Sequence, residues 1–428
     1  MKTRLQNSRF ERGSVLIVTL FIAFLFGMFL YSYLNSVQEQ KGLVARSQGW
    51  NSALVLAEGG VEEALAQLNP GAPQPLVIDR TANGWGGPSG GLYGPVSRAL
   101  SSGTYSVVLT TDTNPVIYAT GYVTIPTLST TLKRVLRVGT TNAPLFSVAS
   151  GARSGIDLRG NGVSSDSFNS ALATLSSNGK YDPTKTSTNG DLASFAGILN
   201  VGNANVSGSV LLGPTANDTI NANGVVTGGV SKDFNVEFED VVLPSNSSSW
   251  VPASPLAVPL VINGVSYNYV FNLGGAYDYT INNLSSSSIY VASNTTVRLL
   301  LTGTAKPSNI EVDGSGTNSG KLTIYMDGPS FTLSGNEVVD GGNAANFSYY
   351  GTTNNTQVSF TGNTTFTGTI YAPEADIKLG GGGNTPYDVV GSIIGNTITM
   401  NGHFNLHFDE NLLKAGPFRV VASSWREL

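Results

Sequence analysis

The sequence predicts an α+β chain that is mainly β. It comprises a long N-terminal helix, a small antiparallel sheet and a large Gly/Asn-rich β domain built as a parallel β-helix or similar solenoid. Three observations carry this. An uncharged apolar run over residues 14–37 continues into apolar residues at helical spacing as far as Leu68. Three strand-length runs follow Gly103, split by turn residues. From about Pro144 the composition shifts to Gly, Asn, Ser and Thr, and a short apolar pattern recurs.

No charge occurs between Arg12 and Glu39. At ~1.5 Å per residue, about 20 apolar residues cross the hydrocarbon layer of a bilayer. Lys2, Arg4, Arg9 and Arg12 precede the run and little charge follows before Glu39 and Lys41, so the N-terminus stays cytoplasmic and the rest faces outward. Tyr31 and Tyr33 suit an interfacial belt. Three readings compete: a cleaved secretory signal, a plain single-span anchor, or a basic leader that is cut off while the apolar segment stays. The run is long for the first, and no small-x-small site closes it before Gln38.

Beyond it, Trp50, Leu54, Ala57, Val61, Ala64/Leu65 and Leu68 form a stripe opposite Asn51, Ser52, Glu58, Glu62, Glu63 and Gln67. Asn69-Pro70-Gly71 ends it. One helix over 14–68 would be roughly 80 Å long. Gly42, Gly49, Gly59 and Gly60 each cost about 1 kcal/mol in a helix interior, which predicts local bending or melting.

The local sequence Glu11-Arg12-Gly13-Ser14-Val15-Leu16-Ile17 resembles a prepilin signal, and residues 53–68, with Ala57-Glu58-Gly59-Gly60, resemble the second half of the N-terminal helix of PilX-type minor pilins. The resemblance covers about the first 68 residues. It implies cleavage between Gly13 and Ser14 by a prepilin peptidase, a bacterial inner-membrane location before assembly with the head outside the cytoplasm, and then a pilus or cell-surface location. Other minor and major pilins are the implied partners. The chain departs from the shaft-pilin pattern at Val18, where most shaft pilins carry Glu.

Residues 70–98 are Pro/Gly-rich and read as a linker. Strands are expected at Tyr105-Ser-Val-Val-Leu109, over 116–123 and over 132–138, the last alternating Leu/Val with Lys/Arg. A helix followed by such a sheet is the pilin head arrangement, and the basic third strand is again similar to PilX-type proteins. In the remainder, Val206-Ser-Gly-Ser-Val, Phe366-Thr-Gly-Thr-Ile and Val389-Val-Gly-Ser-Ile repeat, with Gly368 and Gly391 separated by 23 residues, a spacing that fits one solenoid rung. Gly335-Asn336, Gly362-Asn363, Gly395-Asn396 and Asn401-Gly402 are expected at left-handed corners. An antiparallel sandwich stays open as an alternative over 230–310. The expected divisions are a leader 1–13, the helix 14–68, a linker and meander 69–140, and the head 141–428.

Ile156-Asp157-Leu158-Arg159-Gly160-Asn161-Gly162, Asp166-Ser167-Phe168-Asn169-Ser170, Ile370-Tyr371-Ala372-Pro373 with Ala375-Asp376-Ile377, and His407-Phe408-Asp409-Glu410 resemble an uncharacterised β-rich domain often joined to PilX-type N-termini. That resemblance spans roughly 145–428 and implies no activity; Phe408 departs from the usual Tyr.

The chain has 428 residues, no Cys and a net charge of −5, which excludes a disulfide framework or thiolate metal site and speaks against nucleic-acid binding. His403 and His407, with Asn405 and Asp409, share a strand face, but histidines four apart on a strand stand about 13 Å apart, too far for one ion. The expected role is a cap in which His and Asp bond loop backbone at the solenoid end. Asp313-Gly-Ser-Gly-Thr-Asn-Ser-Gly lacks the spaced carboxylates of a calcium loop and reads as a turn. Gly380 to Gly383 is a turn, not a phosphate cradle. Glu374 and Asp376 lie roughly 7 Å apart on one face, within glycosidase spacing, but without a basic or aromatic platform.

The leading expectation is therefore a non-enzymatic minor-pilin-like protein with no cofactor, placed at or near a fibre tip or in its initiating complex. Alternatives are an envelope-anchored β-helix enzyme acting on polysaccharide, and an adhesin with a surface glycan as ligand.

Overall fold

The computed structural model describes residues 11–69, 84–125, 129–160, 162–236, 238–315, 318–334, 338–339, 343–361, 365–380, 387–415 and 418–428. The expected leader up to Phe10, residues 70–83 of the expected linker, and the pairs Gly335-Asn336 and Gly362-Asn363 lie outside them, as do Gly381 to Gly383. The chain divides into two compact units.

The first unit holds helix α1 (Glu11–Leu68) and an antiparallel sheet. Its strands are β1 (Leu92–Leu100), β2 (Gly103–Thr110), β3 (Val116–Ile125) and β4 (Thr130–Pro144), with the C-terminal strand Phe418–Glu427 beside β4. The three expected strands are present. β1 is additional, and so is the C-terminal strand, whose residues the sequence reading had left in the head. Arg134 pairs with Glu427, and the Leu428 amide donates to the Val135 carbonyl at 3.0 Å.

α1 is helical throughout, without the melting expected at its glycines. The buried stripe is Gly49, Ala53, Leu56, Ala57, Gly60, Val61, Ala64 and Leu68; Trp50 stays 46 % exposed and Leu54 half-buried, so the contact face is rotated from the expected one. Small residues set the rotation. A Cβ on Gly60 would lie 3.1 Å from the Tyr105 ring and one on Gly121 of β3 would lie 2.0 Å from the Ala53 carbonyl oxygen. Helix and sheet thus approach closely through glycines, and the contact offsets what they cost in propensity.

The second unit is mostly one run of parallel strand pairing. Val297 lies beside Leu322, Leu322 beside Phe347, Ile370 beside Ile393, so the chain returns to the same lateral position every 20 to 25 residues. The recurring glycines are register partners: Gly368 pairs with Gly391. Both have positive φ (149° and 126°), and a Cβ on Gly391 would lie 1.9 Å from the Gly368 carbonyl oxygen. Over 230–310 the long pairings are parallel, Gly275–Ile281 with Thr295–Leu301; only the hairpin Leu260–Ile262/Val265–Tyr267 is antiparallel. Of the corner pairs expected, Gly402 has positive φ (124°), whereas Gly395, Asn396 and Asn401 do not; among the described residues Asn178, Asn263 and Asn294 are left-handed. Asn396 instead donates to Asp376 (3.1 Å) and accepts from Ser154 (2.8 Å), bridging neighbouring strands.

The order of stacking is not the order of the sequence. β5 (Ser150–Leu158) pairs on one side with Leu192–Ser194 and Ile198–Gly202, which lead on to Val210–Leu212 and Val230–Ser231. On its other side lies Tyr387–Asn401, the last long strand of the stack. The chain therefore enters the stack in its middle, winds to one end, crosses to the other end and winds back until it meets its own start. The crossing, a strap over residues 232–236 and 238–250, ends in a 3-10 turn at Ser247–Ser249.

Alternation along the strands makes one ladder inward and one outward. Inward, Leu299, Ile324, Tyr349, Ile370, Ile393, Ser150, Leu192 and Val210 follow one another. Outward, Leu300, Tyr325, Tyr350, Tyr371, Ile394, Gly151, Ala193 and Leu211 do the same, and the strap covers them with Phe234, Phe238, Val241 and Trp250. Phe238 sits over Gly151, where a Cβ would come within 2.8 Å of the ring. The Tyr371 hydroxyl donates to the Glu239 carbonyl at 2.8 Å, and Arg153 donates to the Phe238 carbonyl while pairing with Asp240 and Glu374. Burying this outer face twice over explains why both strand faces are apolar.

Phe238→Ala is expected to lower stability by about 3 kcal/mol through loss of a buried ring, and to expose the strap to protease before the rest of the head. Denaturant unfolding and timed proteolysis of the detergent-solubilised protein read both.

Candidate functional site

The sequence points to two places: the apolar start of α1, and the motifs around Asp166 and His407. In α1 the apolar residues from Val15 to Leu34 are exposed apart from the half-buried Leu25; Leu16, Phe24, Phe26 and Phe29 are each more than two-thirds exposed. The helix is long and apolar enough to cross a membrane, by length and composition. Gly13 and Ser14 fall in its first turn, and Val18 is 54 % exposed. Between Arg12 and Glu39 the helix carries no charge. Thr19 satisfies its hydroxyl on the Leu16 carbonyl at 2.9 Å. The one polar side chain between Val15 and Leu30 is thus satisfied within the helix.

The second place is where the stack closes on its own start. β6 (Ser164–Phe168) runs parallel to Phe404–Asp409, with Ser164 opposite Asn405, Asp166 opposite His407 and Phe168 opposite Asp409. Two stretches far apart in sequence are thus register partners. His407, 4 % exposed, meets the Asp166 carboxylate through Nδ1 at 2.6 Å. Tyr181 stacks on the imidazole at 3.5 Å between ring centroids and donates its hydroxyl to the other Asp166 oxygen at 2.9 Å. Ser167 and Asn189 each donate to Glu410 at 2.8 Å.

Asp409 is fully buried. Its Oδ1 accepts the Ser170 and Asn411 amides at 3.0 Å, while Oδ2 has no hydrogen-bond partner. Burial pushes its carboxyl above the ordinary range, against the pull of those amides. Asp409 thus bonds loop backbone as expected of a cap. His407 bonds a carboxylate, and the cluster lies inside the stack rather than at its end. His403 stands apart, before the strand, next to Gly162. Among the described residues no group of three His, Cys, Asp or Glu side chains is placed to hold a metal.

The remaining carboxylates are engaged separately. Glu374 pairs with Arg153, and Asp376 accepts from Asn396 and from Thr397 at 2.6 Å. Burial alone would raise the Asp313 carboxyl, but hydrogen bonds from Ser315 and Ser293 outweigh it and hold it below its usual value, as in a surface turn. The sequence reading missed the strap. Its signal was the alternation Phe234, Val236, Phe238. It also missed the pairing of Asp166 with His407, although both lay in stretches already singled out.

Residues 275–415 match the family described as "Domain of unknown function (DUF7305)". That match spans about a third of the chain and includes the His407 strand but not Asp166. The structure of the competence-associated pilin ComZ from Thermus thermophilus aligns over 89 % of this chain and 97 % of its own, at 12 % identity and a TM-score of 0.28. At that score a common fold does not follow. No curated protein sequence matches.

The raised Asp409 carboxyl has a sign. A folded-state pKa above the unfolded one binds the proton more tightly in the native state, so stability falls as pH rises through that range. Unfolding at about pH 4 and about pH 8 is expected to show this drop in the native protein and its absence in Asp409→Asn, which keeps the Oδ1 acceptor.

Proposed function

We propose that this chain is a minor-pilin-like structural protein of a type IV pilus or pseudopilus, carrying a large β head outside the cytoplasm. The observation that carries it is the division of α1. One half is bare, apolar and uncharged, the other half lies on an antiparallel sheet, and a basic leader ending in Gly13 precedes both. A plain anchor needs neither the leader nor a helix continuous with a packed domain.

Prepilin peptidase and other minor and major pilins are the partners of this reading, and the bacterial inner membrane holds the chain before assembly. Gly13 has no side chain, so a narrow peptidase cleft accepts the leader there, and the mature chain begins at Ser14. The head is read as a parallel β-solenoid. Support comes from the repeated return of the chain and its parallel register.

Val18 supports a place at the tip. A carboxylate in the lipid-embedded first turns is costly without a partner, and in shaft pilins the Glu at this position is implied to pair with the amine of the subunit above. Val18 needs no such partner, so this subunit leaves the bilayer without one above it. A bulky head on every shaft subunit would also obstruct close packing.

Intact-mass measurement of membrane-extracted protein is expected to give a chain starting at Ser14; retention of Met1 or Lys2 would contradict the reading. Immunogold labelling of the head is expected at fibre ends, in few copies, whereas regular labelling along the shaft would exclude the tip.

A further inference from the structure

At the end of the stack where the strap delivers the chain, residues 246–251 and 276–279 enclose a cleft of about 380 Å³. Its walls are Trp250, Tyr277, Tyr279, Asp278, Asn246 and Ser249. The strand Val251–Pro252 covers the neighbouring strand Gly275–Ile281 only at Tyr279 and Thr280. Among the described residues no strand pairs with 275–278 on that side, and residues 276–278 form part of the cleft.

The polar groups of the cleft are pre-set. Asp278 takes Arg298 in a two-pronged pair, both bonds 2.6 Å, and the guanidinium lies 5.0 Å above the Trp250 ring. This neutralises the carboxylate and fixes its oxygens. The Trp250 indole N–H donates to the side-chain Oδ1 of Asn246 at 3.3 Å, which leaves the Asn246 side-chain nitrogen to donate elsewhere. Tyr277 and Tyr279, two apart on the strand, stack at 6.2 Å with rings 23° apart; both are half-buried, and Tyr279 also packs on Phe271.

We propose that this cleft is a binding site for an uncharged oligosaccharide. A pyranose ring has an apolar C–H face that lies on an aromatic ring and a rim of hydroxyls that need fixed donors and acceptors. Tyr277 supplies the first from the inward side of the strand edge; Asp278 on the outward side, Asn246 and Ser249 of the strap, and the edge between them supply the second. With Asp278 and Arg298 compensating each other, no charged ligand is called for. The volume holds one or two hexose rings. The proposal names a ligand class for the head and stands on residues 246–298 alone, so it survives or fails independently of processing at Gly13.

The test is titration of the full chain, in a detergent without a sugar headgroup, with cellotetraose, chitotetraose and maltotetraose, following Trp fluorescence and heat. Saturable binding of at least one of them is expected, and Tyr277→Ala is expected to weaken it roughly tenfold or more without changing the melting temperature. Asn246→Ala, on an exposed loop, provides the second variant should Tyr277→Ala fail to fold. Absence of saturable binding to all three up to ~10 mM, binding that neither variant weakens, or preference for the charged polymer polygalacturonate would each overturn the proposal.

Discussion

Register in the parallel stack is the constraint on which the head depends. Each buried side chain stands on the equivalent residue of the next turn, so a residue's neighbours are fixed some 20 to 25 positions away along the chain rather than locally. At the closure the same rule must hold between residues 240 positions apart, and it does: Ile393 stands on Ser150 and His407 on Asp166. Specific polar contacts concentrate there. An apolar ladder tolerates a slip by one turn, whereas the His407–Asp166–Tyr181 cluster and the Glu410 bonds have partners in one register only. Ser150 shows the cost of the junction, since its fully buried hydroxyl has no hydrogen-bond partner among the described residues.

The chain enters and leaves the stack near its middle, and the strap joins one end of the stack to the other. At one end the inward ladder stops at Val230, which is 43 % exposed, while Val210 beneath it is fully buried. At the other end the last turn is incomplete and leaves the cleft lined by Trp250 and Tyr277. The strap makes this arrangement stable. It carries the chain from one end to the other over the Tyr325, Tyr350 and Tyr371 ladder and is held by Arg153.

Much of this was legible from the residues. The apolar run, the stripe to Leu68, three strands of the sheet and the spacing of Gly368 and Gly391 are local patterns, and they translate directly into α1, β2 to β4 and register partners. The rotation of the α1 contact face was not legible, because Gly49 and Gly60 count as losses in helix propensity while their use depends on the sheet opposite. Nor was the stacking order. Periodicity gives the length of a turn but not which turns are adjacent, so the motifs at Asp166 and His407 appeared as separate signals, and His407 was expected at a free end. The C-terminal strand escaped for the same reason: its partner β4 lies nearly the whole length of the head away in sequence.

Closure of the stack on its own start is the central claim, and a chain with no native Cys allows it to be tested by cross-linking. Ser164 and Asn405 are register partners across the junction, their side chains 2.6 Å apart at the hydrogen-bonded oxygens. Neighbouring strands about 4.8 Å apart suit a disulfide. With Ser164→Cys and Asn405→Cys combined, mild oxidation of the folded protein is expected to give an intramolecular disulfide, seen as a faster band on a non-reducing gel and as a cross-linked peptide by mass spectrometry. Thiols that stay free in the folded protein, or a disulfide formed only between molecules, would contradict the account.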